Sequence, residues 1–141
     1  MDDEKVLRRP IGWWLKEADA RLDAAFDNAL ADHDVDRRAW QVLATLARSS
    51  TPRADIVTTL AAFDQPAAVE SVVDNLLSRG WLAEPDSVLR LTPNGVRKQE
   101  SLAPLVEQVR NKVTGALPGD EYATLVRLLA RLVAGLTEST R

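Results

Sequence analysis

Apolar positions along this chain recur at two spacings, and the switch between them lays out the elements. From Pro10 to about Asp32, the residues Ile11, Trp14, Leu15, Ala18, Leu22, Ala25, Phe26, Ala29 and Leu30 keep a helical period. That spacing predicts a long amphipathic helix with Pro10 in its first turn. The acidic run Asp32-His33-Asp34-Val35-Asp36 ends it. Asp36 is placed to cap a second helix, running to about Arg48, with Ala39, Trp40, Leu43, Ala44 and Leu46 on its core face. Thr51 and Pro52 read as the cap and first position of a short third helix to about Ala62. Asp64-Gln65-Pro66 opens a fourth, with Val69, Val72, Val73, Leu76 and Leu77 inward and Gly80 as its stop. The period then drops to that of strands. Trp81–Glu84 and Val88–Leu91 read as two strands joined at Pro85-Asp86-Ser87. Thr92-Pro93 starts a fifth helix to about Ala116. Pro118-Gly119-Asp120-Glu121 opens a sixth, with Tyr122, Leu125, Leu128, Leu129, Leu132, Val133 and Leu136 apolar.

The order predicts a mainly α fold: a winged helix-turn-helix with long N- and C-terminal dimerisation helices and a two-stranded wing. Residues 1–35 form the N-terminal dimerisation helix, 36–95 the winged DNA-binding unit, and 96–141 the C-terminal dimerisation helices, all within one structural domain. The apolar faces carrying Ile11, Trp14 and Leu15, and Leu125, Leu129, Leu132 and Leu136, exceed what one small winged unit can cover. Packing across a two-fold axis into a homodimer is the expected remedy. The alternative is a monomer in which the terminal helices fold back on each other.

Composition narrows the function. With 45% hydrophobic and 28% charged residues, the 141-residue chain has the balance of a soluble globular domain with a proper core. The absence of cysteine excludes disulfides, thiolate zinc sites and cysteine redox sensing. The start, Met-Asp-Asp-Glu-Lys, is acidic and carries no apolar run, so no signal peptide is expected. No apolar stretch approaches the roughly 20 residues that span a bilayer, so no membrane partner is expected and the location is read as cytoplasmic. There is no cysteine nucleophile, no histidine beside a plausible serine and no phosphate-cradling glycine loop, so neither an enzyme nor a cofactor is expected.

Three groups of residues carry a resemblance. They are Trp40-Gln41-Val42-Leu43-Ala44-Thr45-Leu46; Val69-x-x-Val72-Val73-Asp74-x-Leu76-x-x-Arg79-Gly80-Trp81-Leu82; and Val88-x-Arg90-Leu91-Thr92-Pro93-x-Gly95. On these the chain resembles the MarR family of bacterial transcriptional regulators over nearly its whole length. The resemblance implies an obligate dimer with interlocked terminal helices. It also implies two recognition helices about one DNA turn apart, reading a near-palindrome in double-stranded DNA. Many members are released from DNA by a small aromatic ligand. The expected function is therefore a MarR-like dimeric DNA-binding regulator, a repressor, responsive to such a ligand. The alternative is a winged-helix dimerisation or interaction protein that has lost sequence-specific DNA binding.

Charge sharpens that alternative. The exposed face of the fourth helix offers Glu70, Ser71 and Asn75 where the family usually carries basic or hydroxyl residues. The arginine-bearing wing segment is missing. Residues 52–95 hold Arg53, Arg79 and Arg90 against six acids, a net of −3 equal to that of the whole chain. Phosphate neutralisation supplies most non-specific affinity for DNA, and three arginines cannot make the usual 6–10 contacts, about one per charge. Lys5, Arg8 and Arg9 of the N-terminal arm, with Arg37, Arg38 and Arg48, are candidate supplements. The DNA-contacting set is read as Arg53, Gln65, Ala67, Ala68, Ser71, Asn75, Ser87 and Arg90. In it, Asn75 or Gln65 pairs with adenine and the alanines meet thymine methyls.

Four tryptophans remain to be placed. Trp14 shares the core stripe of the first helix, whereas Trp13 sits at its edge. The plain reading is core and dimer packing. The sharper one is an aromatic ligand pocket of Trp13, Arg37 and Trp40. His33 stands among Asp32, Asp34 and Asp36, but alternating acids in a loop read as a helix terminator, and no metal site is assigned.

Overall fold

A computed structural model describes residues 2–138 of the chain. Its elements are α1 (Asp3–Arg8), α2 (Ile11–Leu30), α3 (Arg37–Arg48), β1 (Thr51–Pro52), α4 (Arg53–Thr59), α5 (Pro66–Ser78), β2 (Leu82–Ala83), β3 (Val88–Leu91), α6 (Pro93–Ala116) and α7 (Glu121–Glu138). They group into two compact units, one up to Val106 and one from Glu107 onward.

The first unit is built around α3. Leu30 closes α2 fully buried, one 3-10 turn follows, and Asp34 reverses the chain in a left-handed conformation (φ 57°). The Asp36 carboxylate then accepts a hydrogen bond from the Ala39 amide at 2.9 Å, the predicted cap. Trp40, Val42, Leu43 and Leu46 on α3 pack with Ile56 and Leu60 from the α4 segment and with Val69, Val73 and Leu76 from α5. Leu82, Leu89, Leu102 and Val106 complete the core. Trp40 is therefore a core residue at 6% exposure.

The wing differs from the sequence expectation. Thr51 does not cap a helix: its hydroxyl donates to the Ser49 carbonyl at 2.9 Å, and Thr51 and Pro52 form β1. The sheet is three-stranded and antiparallel, in the order β1-β3-β2. Thr51 sits opposite Leu89, Leu82 opposite Leu91, and Ala83 opposite Arg90. Pro52 is tolerated because β1 is an edge strand. It also takes the N-cap position of α4, which ends at Thr59, earlier than its apolar pattern suggests. The sequence pattern gives no sign of α1. Asp2 caps it, accepting from the Glu4 amide at 3.1 Å, and the Trp14 indole donates to the Val6 carbonyl at 3.1 Å, fastening α1 to α2.

The link from α5 through the wing to α6 is a backbone lock. Gly80 takes φ 77° and stops α5. The Trp81 amide donates back to the Leu76 carbonyl at 3.2 Å, and the Thr92 amide donates to the Trp81 carbonyl at 3.0 Å. The Thr92 hydroxyl donates to the Gly80 carbonyl at 2.6 Å and accepts from the Gly95 amide at 3.1 Å, capping α6. A Cβ on Gly95 would collide with the Trp81 carbonyl oxygen and lie 2.9 Å from its carbon.

Gly95→Ala must therefore push two backbones apart, at a cost of about 1–3 kcal/mol. Gly115 lies in the same helix, and a methyl group added there would meet nothing within 4 Å, so Gly115→Ala gains roughly 0.5–1 kcal/mol of helix propensity. Urea unfolding of the two variants is expected to give opposite signs; two equal shifts would show that the close approach at Gly95 carries no strain.

Candidate nucleic-acid interface

Helix α5 buries Val69, Val73 and Leu76, which turns Ala67, Ser71 and Asn75 outward, successive residues four apart on one face. All three are exposed, as is Gln65 at the N-cap position, whereas Ala68 is half-buried at the edge of the face. Pro66 at the first helical position fixes the entry of the chain into the helix. Ser71 and Asn75 also border an open groove of about 420 Å³, shared with Asp34, Val35 and Arg79.

On the wing, strand alternation sends Leu89 into the core and leaves Arg90 exposed. The tip is tight: Asp86 and Ser87 both take positive φ, 54° and 65°. Such φ values are uncommon outside glycine, and Asp tolerates them through its short polar side chain. Ser87 is exposed there.

Arg53 stands apart from this open surface. Its Nε and Nη2 donate to the two Glu84 carboxylate oxygens at 3.1 and 3.0 Å, and its Nη1 donates to Asp74 at 2.7 Å. One guanidinium thus ties the first turn of α4 to α5 and to the end of β2. The fork matches a carboxylate bidentately. Its hydrogen bonds to Glu84 and then to Asp74 push the Arg53 pKa further up. The Arg53 hydrogen bond holds the Glu84 carboxyl below the usual carboxylate range, against the opposing pull of burial. Nothing in the sequence signals these partners, which lie 21 and 31 residues away.

Other arginines are also spent internally. Arg79 donates to the Asp34 carbonyl at 2.6 Å and lies over the Trp81 ring, whose other cation neighbour is Lys98. Arg37 reaches Asp19 and Asp23 at 3.3 and 2.8 Å, and Arg38 reaches Asp64 at 3.3 Å. The three residues read as a ligand pocket each have a structural partner already. Arg37 is neutralised against α2, Trp40 is in the core, and Trp13 packs edge-on against Trp14 with the Arg9 guanidinium 3.9 Å from its ring centre.

The residues read as dimerising are largely open within the single chain. Ile11, Trp14 and Leu15 on α2, and Leu125 and Leu136 on α7, are exposed, while Leu129 and Leu132 are half-buried. Among the described residues no group of histidines and carboxylates is arranged to hold a metal, and no helix is long and apolar enough to cross a membrane.

No protein-family profile and no curated relative matches the sequence. Solved structures do match. BpsR of Bordetella bronchiseptica, whose DNA binding is regulated by 6-hydroxynicotinic acid, is 26% identical over 89% of this chain and 95% of its own, with a TM-score of 0.78. A probable transcriptional regulator from Pseudomonas aeruginosa is 27% identical over 89% and 98%, with a TM-score of 0.76. A mutant of Escherichia coli MarR complexed with operator DNA is 23% identical over 94% and 99%, at 0.76, which is a likeness of fold. The chain is a MarR-like winged-helix protein.

Because Glu84 has a folded pKa below its unfolded one, its stabilisation is present above the unfolded value and is lost as pH falls through the folded value. The pair is partly open, with side chains 25% and 27% exposed, so its worth is at most about 1 kcal/mol. Urea unfolding of the wild type and Glu84→Gln is expected to differ most near neutral pH and to converge once the pH has fallen below the folded value, which lies beneath the ordinary carboxylate range. A gap independent of pH would mean that the Arg53–Glu84 pair is not formed.

Proposed function

We propose that this chain is a homodimeric regulator of the MarR type that binds double-stranded DNA, acts as a repressor and is released by a small aromatic ligand. The observation that carries the reading is the exposed stripe Ala67, Ser71 and Asn75 on a helix tied to the wing through its C-terminal end and through Asp74, in a fold shared with a regulator solved on operator DNA. Residues of this kind reach base edges when such a helix lies in the major groove. Gln65, Ala68, Ser87 and Arg90 border the same surface. Arg53 acts there through its brace rather than as an open phosphate contact. The exposed apolar residues of α2 and α7 support the homodimer, and the ligand rests on the likeness to BpsR.

One observation favours the second reading, a winged-helix interaction protein that no longer reads DNA. Of the three arginines in residues 52–95, Arg53 is paired with two carboxylates and Arg79 is turned to a backbone carbonyl, which leaves Arg90 as the open cation.

Two measurements test the proposal, and the second separates it from the alternative. Sedimentation is expected to give about twice 15.5 kDa, and Leu125→Asp to return the mass to a single chain; a wild-type monomer would remove the dimeric arrangement. Binding to the DNA upstream of its own gene, followed by anisotropy between ~50 and ~200 mM salt, is expected to fall with salt, on a slope shallower than that of a reader making the usual ~6–10 phosphate contacts. Arg90→Ala flattens the slope by about 0.9 per arginine, whereas Arg53→Ala weakens binding without flattening it. Asn75→Ala relaxes base preference. Absence of salt-sensitive binding at ~50 mM would establish the second reading.

A further inference from the structure

The recognition helix carries two acids on its wing-side stripe, Glu70 and Asp74, one turn apart. Their situations differ. Asp74 is held by Arg53 at 2.7 Å and serves the brace. Glu70 is exposed, and among the described residues it has neither an ion-pair nor a hydrogen-bond partner for its carboxylate. It is the fifth residue of α5, which starts at Pro66. That places it in the N-terminal half of the helix, the half that meets base edges when a recognition helix docks.

We propose that Glu70 is a specificity-determining residue that accepts a hydrogen bond from the exocyclic amino group of a cytosine or adenine in each half-site. The inference rests on the DNA-reading function proposed above. An ionised carboxylate only accepts hydrogen bonds. In the major groove the donors are the cytosine N4 and adenine N6 amino groups, while guanine N7 and O6 and thymine O4 are acceptors. A carboxylate facing guanine or thymine is desolvated against lone pairs and gains no bond, so Glu70 selects by rejection as much as by attraction. An unbraced acid near phosphates is unfavourable unless a base donor meets it, which ties binding to the matched sequence. Asp74 cannot substitute for it, because its carboxylate is already engaged by the cation of the brace.

The test is selection of preferred duplexes from a randomised library at ~50 mM salt, for the wild type and for Glu70→Ala. Glu70 is exposed and unpartnered, so the variant is expected to melt with the wild type. The wild type is expected to show one position per half-site confined to cytosine or adenine, and Glu70→Ala to lose that restriction alone. Replacing the chosen base by its analogue lacking the exocyclic amino group is expected to weaken wild-type binding about 5- to 150-fold, the range for one good base contact, and to leave Glu70→Ala unchanged. An equal penalty in both proteins, or no Glu70-dependent position, overturns this assignment while leaving DNA reading intact. Failure of the wild type to enrich any duplex overturns DNA reading itself, and the assignment with it.

Discussion

The approach of α6 to the backbone of Trp81 is the constraint on which the rest of the winged unit depends. Gly95 leaves room for the Trp81 carbonyl, which the Thr92 amide then takes at 3.0 Å. The Thr92 hydroxyl bridges the Gly80 carbonyl and the Gly95 amide. These contacts join the end of the recognition helix, the return strand of the wing and the start of the long α6. Backbone groups that would be orphaned at two helix ends are satisfied in one place. The orientation of α5 is thereby set by short, directional bonds rather than by apolar packing alone. The outward side chains of α5 are held in one direction because these bonds oppose rolling of the helix.

Within that frame the arginines have been diverted. Arg53 clamps the recognition helix to β2, Arg79 ties the end of α5 to the Asp34 turn, and Arg37 and Arg38 hold α3 to α2 and to the Asp64 corner. Each is a cation that a nucleic-acid surface would ordinarily leave open. Because the braces are partly exposed, each is worth little as an isolated pair. Their joint effect is geometric: the corners of the winged unit are fixed by guanidinium forks, a donor array that lysine cannot reproduce. The same pairing that fixes these corners leaves fewer guanidinium groups open to an anion.

Most of this fold is legible in the sequence because its signals are local. Asp36 as a cap, Gly80 as a stop and Thr92-Pro93 as a helix start each act within three or four residues. β1 escapes because two residues cannot show a period, and because Thr51-Pro52 carries equally the chemistry of a helix start. α1 escapes because its reward is a tertiary hydrogen bond from Trp14 to Val6, which no window of pattern reveals. For the candidate interface, the outward positions Ala67, Ser71 and Asn75 follow from helical spacing once Val69 and Val73 are assigned inward. The occupancy of Arg53 does not follow, since Glu84 reaches it only after the wing has folded back. Composition can count the deficit of positive charge, but it cannot say which arginine is already in use.

On the proposed DNA-reading function, an acidic recognition surface shifts the burden of binding from attraction to fit. In a strongly basic reader, phosphate contacts supply affinity for any sequence, and base contacts add discrimination on top. Here the cations within residues 52–95 are few, and Arg53 and Arg79 are already engaged, so under the proposed function this unit would supply little affinity for arbitrary DNA. What remains would come from base-edge contacts on α5, from shape, and from doubling the surface across the two-fold axis of the proposed dimer. Each contributes fully only when both half-sites match, because one reading unit cannot hold the duplex while the other searches. Discrimination then grows with the product of two half-site fits rather than with either alone. Fixing α5 through Gly95, Thr92 and Arg53 would serve that proposed arrangement directly: a surface that cannot rely on long-range attraction loses little by being rigid and gains the geometric register on which two simultaneous fits depend.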